Sequence, residues 1–160
     1  MRVRISSALL RRIIDQATGS PGAEVCGLLF GSPHRIDAVQ PCPNVAPVPA
    51  DSFEIDPAAL LAAHKAARAG GPAIAGCYHS HPSGPAEPSA RDAAAAAPDG
   101  ALWLIVGGIE DGGAARLWRA RRDGQGFDPI VLEATPACAP GHAPPQGRDE
   151  NPLVRERFPR

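Results

Sequence analysis

Two imidazoles and a carboxylate stand close together in the run Tyr78-His79-Ser80-His81-Pro82, with Asp92 just beyond it. If that run ends a strand, His79 and His81 project from one face, because side chains alternate sides along a strand and residues two apart share one. The intervening Pro82-Ser83-Gly84-Pro85-Ala86-Glu87-Pro88 carries three prolines. It therefore has few conformations and suits the task of holding Asp92 beside the histidines. Two histidines and one carboxylate around a tetrahedral Zn2+ leave one position open for water, the arrangement of catalytic rather than structural zinc. The expected chemistry is hydrolysis with one zinc ion per chain, held by His79, His81 and Asp92.

Other zinc chemistries are excluded by what is missing. There is no His-Glu-x-x-His, the commonest helical zinc-protease signature. Neither the His-x-Glu nor the Pro-Cys-x-x-Cys of nucleobase deaminases occurs. Cys26, Cys42, Cys77 and Cys138 form no closely spaced pair of the zinc-finger kind. Cys26 and Cys77 instead lie in apolar runs, where a thiol packs as a small hydrophobe. Cys77, two residues before His79, fits packing behind the site better than a nucleophile. His34, His64 and His142 fall in a turn, on a helix and in the tail, and are expected in solvent.

Each residue also has a plainer reading. Ser89-Ala90-Arg91-Asp92 before Ala93 to Ala97 is a capping-box-like helix start, with Ser89 as the cap and Asp92 reaching back. Glu24 alone is an ordinary carboxylate ahead of a buried strand. What separates the two readings is their conjunction: Glu24 in Ala23-Glu24-Val25-Cys26-Gly27-Leu28-Leu29-Phe30-Gly31, then His-Ser-His-Pro, then Ser89 and Asp92, in that order. This order resembles the JAMM (JAB1/MPN/Mov34) metallopeptidase family, over roughly Glu24 to Ile109. The resemblance implies that His79, His81 and Asp92 are zinc ligands, that Glu24 is the general base and that Ser89 donates to the oxyanion. Relatives often carry Thr before the ligating Asp; here it is Arg91, which leaves ligation intact and alters the rim. The resemblance further implies amide or isopeptide hydrolysis after the Gly-Gly terminus of a ubiquitin-like or sulfur-carrier protein, whose tail is expected to lie beside a strand by strand addition. The short passage from Asp92 into an alanine helix resembles the compact stand-alone prokaryotic members. His81-Pro82-Ser83-Gly84 also resembles the RadC-like branch, against which stands the Glu24 opening. A non-catalytic MPN scaffold and a cell-wall or phage-tail-associated peptidase are the alternatives. The first is disfavoured by the full ligand set, the second by the lack of an export signal and of a second hydrolase domain.

These residues need elements to position them. Ser6 or Ser7 caps a helix whose Leu9, Leu10, Ile13, Ile14 and Ala17 fall on one face, with Gly19 at its end. Val25 to Phe30 reads as an apolar strand and Arg35 to Val39 as a second. Pro41 to Asp51 reads as a proline-rich loop crossing to Phe53-Glu54-Ile55. Asp56-Pro57 opens the clearest helix, closed by Gly70-Gly71. Ala73 to His79 is the strand that delivers the ligands, and Ala93 to Ala97 is a short helix ended by Pro98. Strands follow over Ala101 to Val106, Ala114 to Arg121 and Phe127 to Glu133. The expected fold class is α/β, a mixed central sheet flanked by helices, which the resemblance makes a JAB1/MPN domain with an architecture similar to that of cytidine deaminases.

Composition narrows the rest. One domain over residues 1–135 suits the length, and 136–160, rich in Pro, Gly and charge, is expected to be a disordered tail whose removal changes melting little. A formal net charge of -1 without a basic stripe argues against nucleic acid or a membrane surface as partner. No apolar run approaches the roughly 20 residues that span a bilayer. With no signal-peptide pattern at the start and four scattered cysteines, a cytoplasmic location with reduced thiols is expected.

Overall fold

The structure, a computed structural model, describes residues 1–136. Of the expected tail over 136–160, all but Pro136, with Cys138 and His142, lies outside the described residues. Elements follow in the order β1 (Arg2–Ser6), α1 (Ser7–Thr18), β2 (Cys26–Ser32), β3 (Arg35–Cys42), α2 (Pro57–Arg68), β4 (Ile74–Ser80), α3 (Ala90–Ala95), β5 (Leu102–Gly107), a short 3-10 turn at Ile109–Asp111, β6 (Ala114–Ala120) and β7 (Phe127–Thr135).

The strands are ordered β1-β3-β2-β4-β5-β6-β7 and close on themselves where β1 runs parallel to β7. The β4–β5 and β1–β3 pairs are also parallel, whereas β2 is antiparallel to both β3 and β4, so the sheet is mixed as expected. Closure was not foreseen. The run Arg2-Val3-Arg4-Ile5 alternates polar and apolar, but it precedes the stronger helical period of α1, and its partners on β7 are far away in sequence.

Period-2 alternation splits the apolar residues between two faces. Val3, Ile5, Leu29, Tyr78, Leu104 and Leu117 pack with Ile13 and Ala17 of α1 into the main core. Leu28, Phe30 and Cys42 face the other way, against Ala63 of α2. Both helices begin with the caps the sequence suggests: Ser6 accepts from the Leu9 amide, and Asp56 accepts from the Ala58 amide with Pro57 in the first turn. Gly27 lies opposite Tyr78, and a Cβ there would overlap both the Tyr78 ring and the Gln40 carbonyl. Here glycine is required by close approach.

The strands that carry the site are covered on both sides: β2 by β3 and β4, β4 by β2 and β5, β5 by β4 and β6. Both edges of these three strands are already paired. The open backbone is on β3, which pairs with β1 only at Arg35 and Ile36. Among the described residues no helix is long and apolar enough to cross a membrane.

Candidate metal centre

Register assembles the site. Cys26 lies opposite His79 on the neighbouring strand, so Glu24 arrives at the C-terminal end of β4. Ser80, whose side chain faces away from the two imidazoles, fastens this junction: its amide donates to the Val25 carbonyl at 3.0 Å and its hydroxyl accepts from the Val25 amide at 2.9 Å. On the other flank the His81 amide donates to the Val106 carbonyl at 2.8 Å. Gly107 then lets the loop from Gly84 to Ala86 pass directly over the end of β5, where a Cβ would collide with its backbone. The Trp118 indole donates to the Ala86 carbonyl at 3.0 Å and fixes that loop further.

His79, His81 and Asp92 converge. The Nε2 atoms of the two imidazoles are 3.0 Å apart. His79 Nε2 lies 3.2 Å from Asp92 Oδ1, and His81 Nε2 lies 3.3 Å from Asp92 Oδ2. Ligand atoms about 2.0–2.1 Å from a tetrahedral ion are about 3.3 Å from one another. Each imidazole faces a different oxygen of Asp92, and one ligand atom from each of the three residues lies within 4.8 Å of the others, a grouping whose chemistry fits a zinc ion. All three residues are buried, while the tautomer of His81 is set by Nδ1, which pairs with the Pro85 carbonyl at 2.9 Å and leaves Nε2 as the lone-pair atom. Among the described residues His79 Nδ1 has no hydrogen-bond partner. Its ring is held between aromatics instead, stacked on Phe53 at 4.3 Å between centroids and 19° between planes, with Trp103 edge-on at 5.8 Å.

The capping box is real as well. Ser89 Oγ accepts from the Asp92 amide at 3.0 Å, and Asp92 Oδ2 accepts from the Ser89 amide at 2.7 Å. The two readings of this segment are compatible, because the cap is what holds the Asp92 carboxylate beside the imidazoles. A serine hydroxyl that accepts at its oxygen still has its proton to give. Ser89, Glu24, Asp51 and His81 line one solvent-open cleft of about 330 Å³.

Electrostatics separate the groups. Burial raises the pKa of Glu24 to about 7; the His81 charge opposes the rise, and Asp92 and Asp51 add to it. Burial also works against the Asp92 carboxylate, yet hydrogen bonds from His79, His81 and the Ser89 amide hold it far below the usual range. His79 is pushed down by burial, whereas in His81 bonds to Asp92 and the Pro85 carbonyl outweigh burial and push it up. Without a metal, a carboxylate held ionised favours one positive charge among these groups. Cys26 and Cys77 do not compete as nucleophiles: burial pushes the Cys26 thiol up to about 12 and Cys77 higher still, so neither is a thiolate at neutral pH. His34 and His64 are exposed, as expected.

Two contributors, Phe53 and Asn44, and the partner of Arg91 are not legible in the sequence. Arg91, expected at the rim, donates to the Asp51 carboxylate and carbonyl, both at 2.9 Å. Phe53 packs on a histidine distant in sequence, and Asn44 ties the crossing loop to the Glu24 segment. An Asn within Pro43-Asn44-Val45 signals only a turn, and an isolated Phe between polar residues signals only partial burial. Neither pattern contains the partner.

The family described as prokaryotic homologs of the JAB domain matches residues 6–121, which carries the likeness beyond Glu24 to Ile109 in both directions. A desampylase of Haloferax volcanii is 36% identical over 100 residues, 61% of this chain and 72% of that protein. A probable TtuB-protein conjugate cleaving protease of Thermus thermophilus is 45% identical over 64 residues, 40% of this chain and 43% of that protein. The crystal structure of a JAB1/MPN domain protein from Archaeoglobus fulgidus shares the fold, with a TM-score of 0.56 at 24% identity over 84% of this chain and 98% of that one.

Proposed function

The chain belongs to the prokaryotic homologs of the JAB domain, and from that premise we propose that it is a JAMM-type zinc isopeptidase, cutting the amide bond that joins the C-terminal glycine of a ubiquitin-like or sulfur-carrier protein to an amine. The observation that carries this reading is the grouping of His79, His81 and Asp92 within metal-binding reach of one another, with His81 opening onto a cleft that Glu24 and Ser89 also line. His79, His81 and Asp92 are the residues that hold the metal. Zinc, when bound, supplies Lewis acidity that brings the pKa of water to about 7. Glu24 takes the proton of the attacking water and delivers it to the leaving amine. Its buried carboxyl, poised near neutrality, suits both directions of transfer, and such a group contributes about 10²- to 10⁴-fold. The Ser89 hydroxyl donates to the oxyanion that forms on the attacked carbonyl, a contribution of about 10²- to 10³-fold.

The substrate class rests on kinship and on the shape of the cleft. One relative is named for cleaving TtuB–protein conjugates, and conjugate cleavage is the activity we assign here. Asp51, bonded by Arg91, lines the cleft together with Pro82, Pro85 and Pro88. Residues without a Cβ approach such walls and a metal most closely, which favours glycine next to the scissile bond. Among the described residues Cys26, Cys42 and Cys77 form no disulfide, in keeping with a cytoplasmic enzyme.

The test is metal analysis together with cleavage of one carrier ending Gly-Gly-X, the same carrier ending Ala-Val-X, and casein. One zinc per chain and cleavage of the first substrate alone is expected. Equal rates on all three would make this a general peptidase, and zinc-loaded protein that cuts none of them would move it to the scaffold class.

A further inference from the structure

His79 and His81 are oriented by different means, and the difference singles out a residue outside the motif. A ligating imidazole ordinarily donates its second ring N–H to a carboxylate, carbonyl or water, which fixes the angle at which the other nitrogen meets the metal. His81 has such a partner in the Pro85 carbonyl. His79 has none: it is fully buried and its Nδ1 is unpaired. What fixes its ring is the face of Phe53, 4.3 Å away and nearly parallel, with the edge of Trp103 at right angles. Imidazole bound to a divalent ion carries part of the ion's charge, and a positively polarised ring is attracted to an aromatic face. The stack therefore strengthens when the metal is present.

Phe53 lies between α2 and the crossing loop, a place that needs its own anchor. Asn44 provides it, using its side-chain amide completely. Nδ2 donates to the Glu24 carbonyl at 2.9 Å and the Ser52 carbonyl at 3.0 Å, while Oδ1 accepts from the Ala46 and Glu54 amides, each at 3.0 Å. Ser52 and Glu54 flank Phe53. The Glu24 amide, in turn, donates to the Pro49 carbonyl of the same loop at 2.7 Å. One side chain thus fixes the backbone on both sides of Phe53 and the backbone of Glu24.

We propose that Phe53 is a positioning residue that holds His79 toward the metal in place of the missing hydrogen bond, and that Asn44 joins this clamp to the Glu24 segment as one rigid piece. The inference rests on His79 being a metal ligand, as in the proposed function.

The experiment uses Co2+ in the full chain, read by its d–d absorption and by competition with a chelator. Phe53→Met keeps apolar volume and removes the ring; it should weaken binding by about 10- to 100-fold, the usual effect of losing a ligand's orienting partner, and alter the cobalt spectrum. Phe53→Tyr and Phe53→Trp, which keep a ring, should stay within a few-fold of wild type. Asn44→Asp, which loses the two donated bonds, should shift affinity and spectrum in the same direction as Phe53→Met. Wild-type affinity and spectrum in Phe53→Met, or equal losses in Phe53→Met and both ring variants, would overturn the clamp. An unchanged Asn44→Asp would overturn the coupling. If Phe53→Met does not fold, the milder Phe53→Leu and the ring variants decide the same point. Wild-type protein that takes up no cobalt fails differently, since it removes the metal reading itself.

Discussion

The two walls of the metal centre are built on different physical principles. On the strand side, His79 sits in a dry box of Phe53 and Trp103, with Phe127 packed edge-on against Trp103 at 5.2 Å, and no hydrogen bond reaches its Nδ1. On the loop side, His81, Ser89 and Asp92 are held by hydrogen bonds to the backbone of a proline-rich segment and to a helix start. Packing is insensitive to pH and tolerates no change of shape; hydrogen bonds to a carboxylate and a carbonyl are directional and titrate. A strand with pairs on both sides can offer the first kind of support, while a loop open to the cleft must supply the second. The consequence is a site whose deep histidine is held by ring packing and whose outer histidine and carboxylate are held by hydrogen bonds.

The most severe way to break this comparison is to remove ligands from both walls at once. The double variant His79→Ala, His81→Ala should fall from one bound zinc to none by metal analysis, with cleavage lost; full zinc occupancy would mean that neither wall is a metal wall. Next in size is Glu24→Gln, expected to keep zinc and fold while cleavage drops about 10²- to 10⁴-fold, because an amide cannot accept the proton of water. Metallated Glu24→Gln that cuts at the wild-type rate would return Glu24 to the status of an ordinary carboxylate.

Ser89→Ala sharpens the comparison because this residue works twice on the loop side. Loss of the oxyanion donor lowers cleavage about 10²- to 10³-fold. Loss of the cap removes the bond to the Asp92 amide and costs about 0.5–2 kcal/mol. The second effect reaches the metal, since it loosens Asp92. Ser89→Ala should therefore lower both melting temperature and zinc affinity, modestly. Reduced cleavage with melting and affinity unchanged would assign Ser89 to chemistry alone.

The same division explains what the sequence disclosed. The loop-side residues and the histidine pair are legible because their types are chemically rare in combination and their spacing is local: His79 and His81 two apart on a strand, Ser89 and Asp92 three apart at a helix start. The packing side is not legible. Phe53 and Trp103 meet His79 through a fold that brings distant segments together, and no period in the chain encodes that meeting. Ser80 looks like a spacer within His-Ser-His until β2 is placed beside β4, when it proves to bond the residue after Glu24. The closing pair of β1 and β7 is unreadable for the same reason, whereas α1 is evident from its cap and 3.6-residue period and α2 from its Asp56-Pro57 start and Gly70-Gly71 end.

The smallest expected effect is a difference in titration, and it bears directly on the two walls. In metal-free protein, NMR of the imidazole protons should find His81 titrating above the ordinary histidine range and His79 below it. Raised His81 contributes stability that is present at low pH and lost as pH rises through its folded value. Raised Glu24 acts in the same sense, because its neutral form is favoured in the fold and its ionisation near pH 7 is unfavourable. Lowered His79 contributes stability above the unfolded value and loses it as pH falls. The metal-free protein should consequently melt lower at pH 8 than at pH 6. Zinc, which replaces the lost positive charge and competes with fewer protons as pH rises, should raise the melting temperature more at pH 8 than at pH 6. A zinc-induced shift of equal size at both pH values would show that the loop wall is as indifferent to charge as the aromatic one, and the contrast between the two histidines would be geometric only.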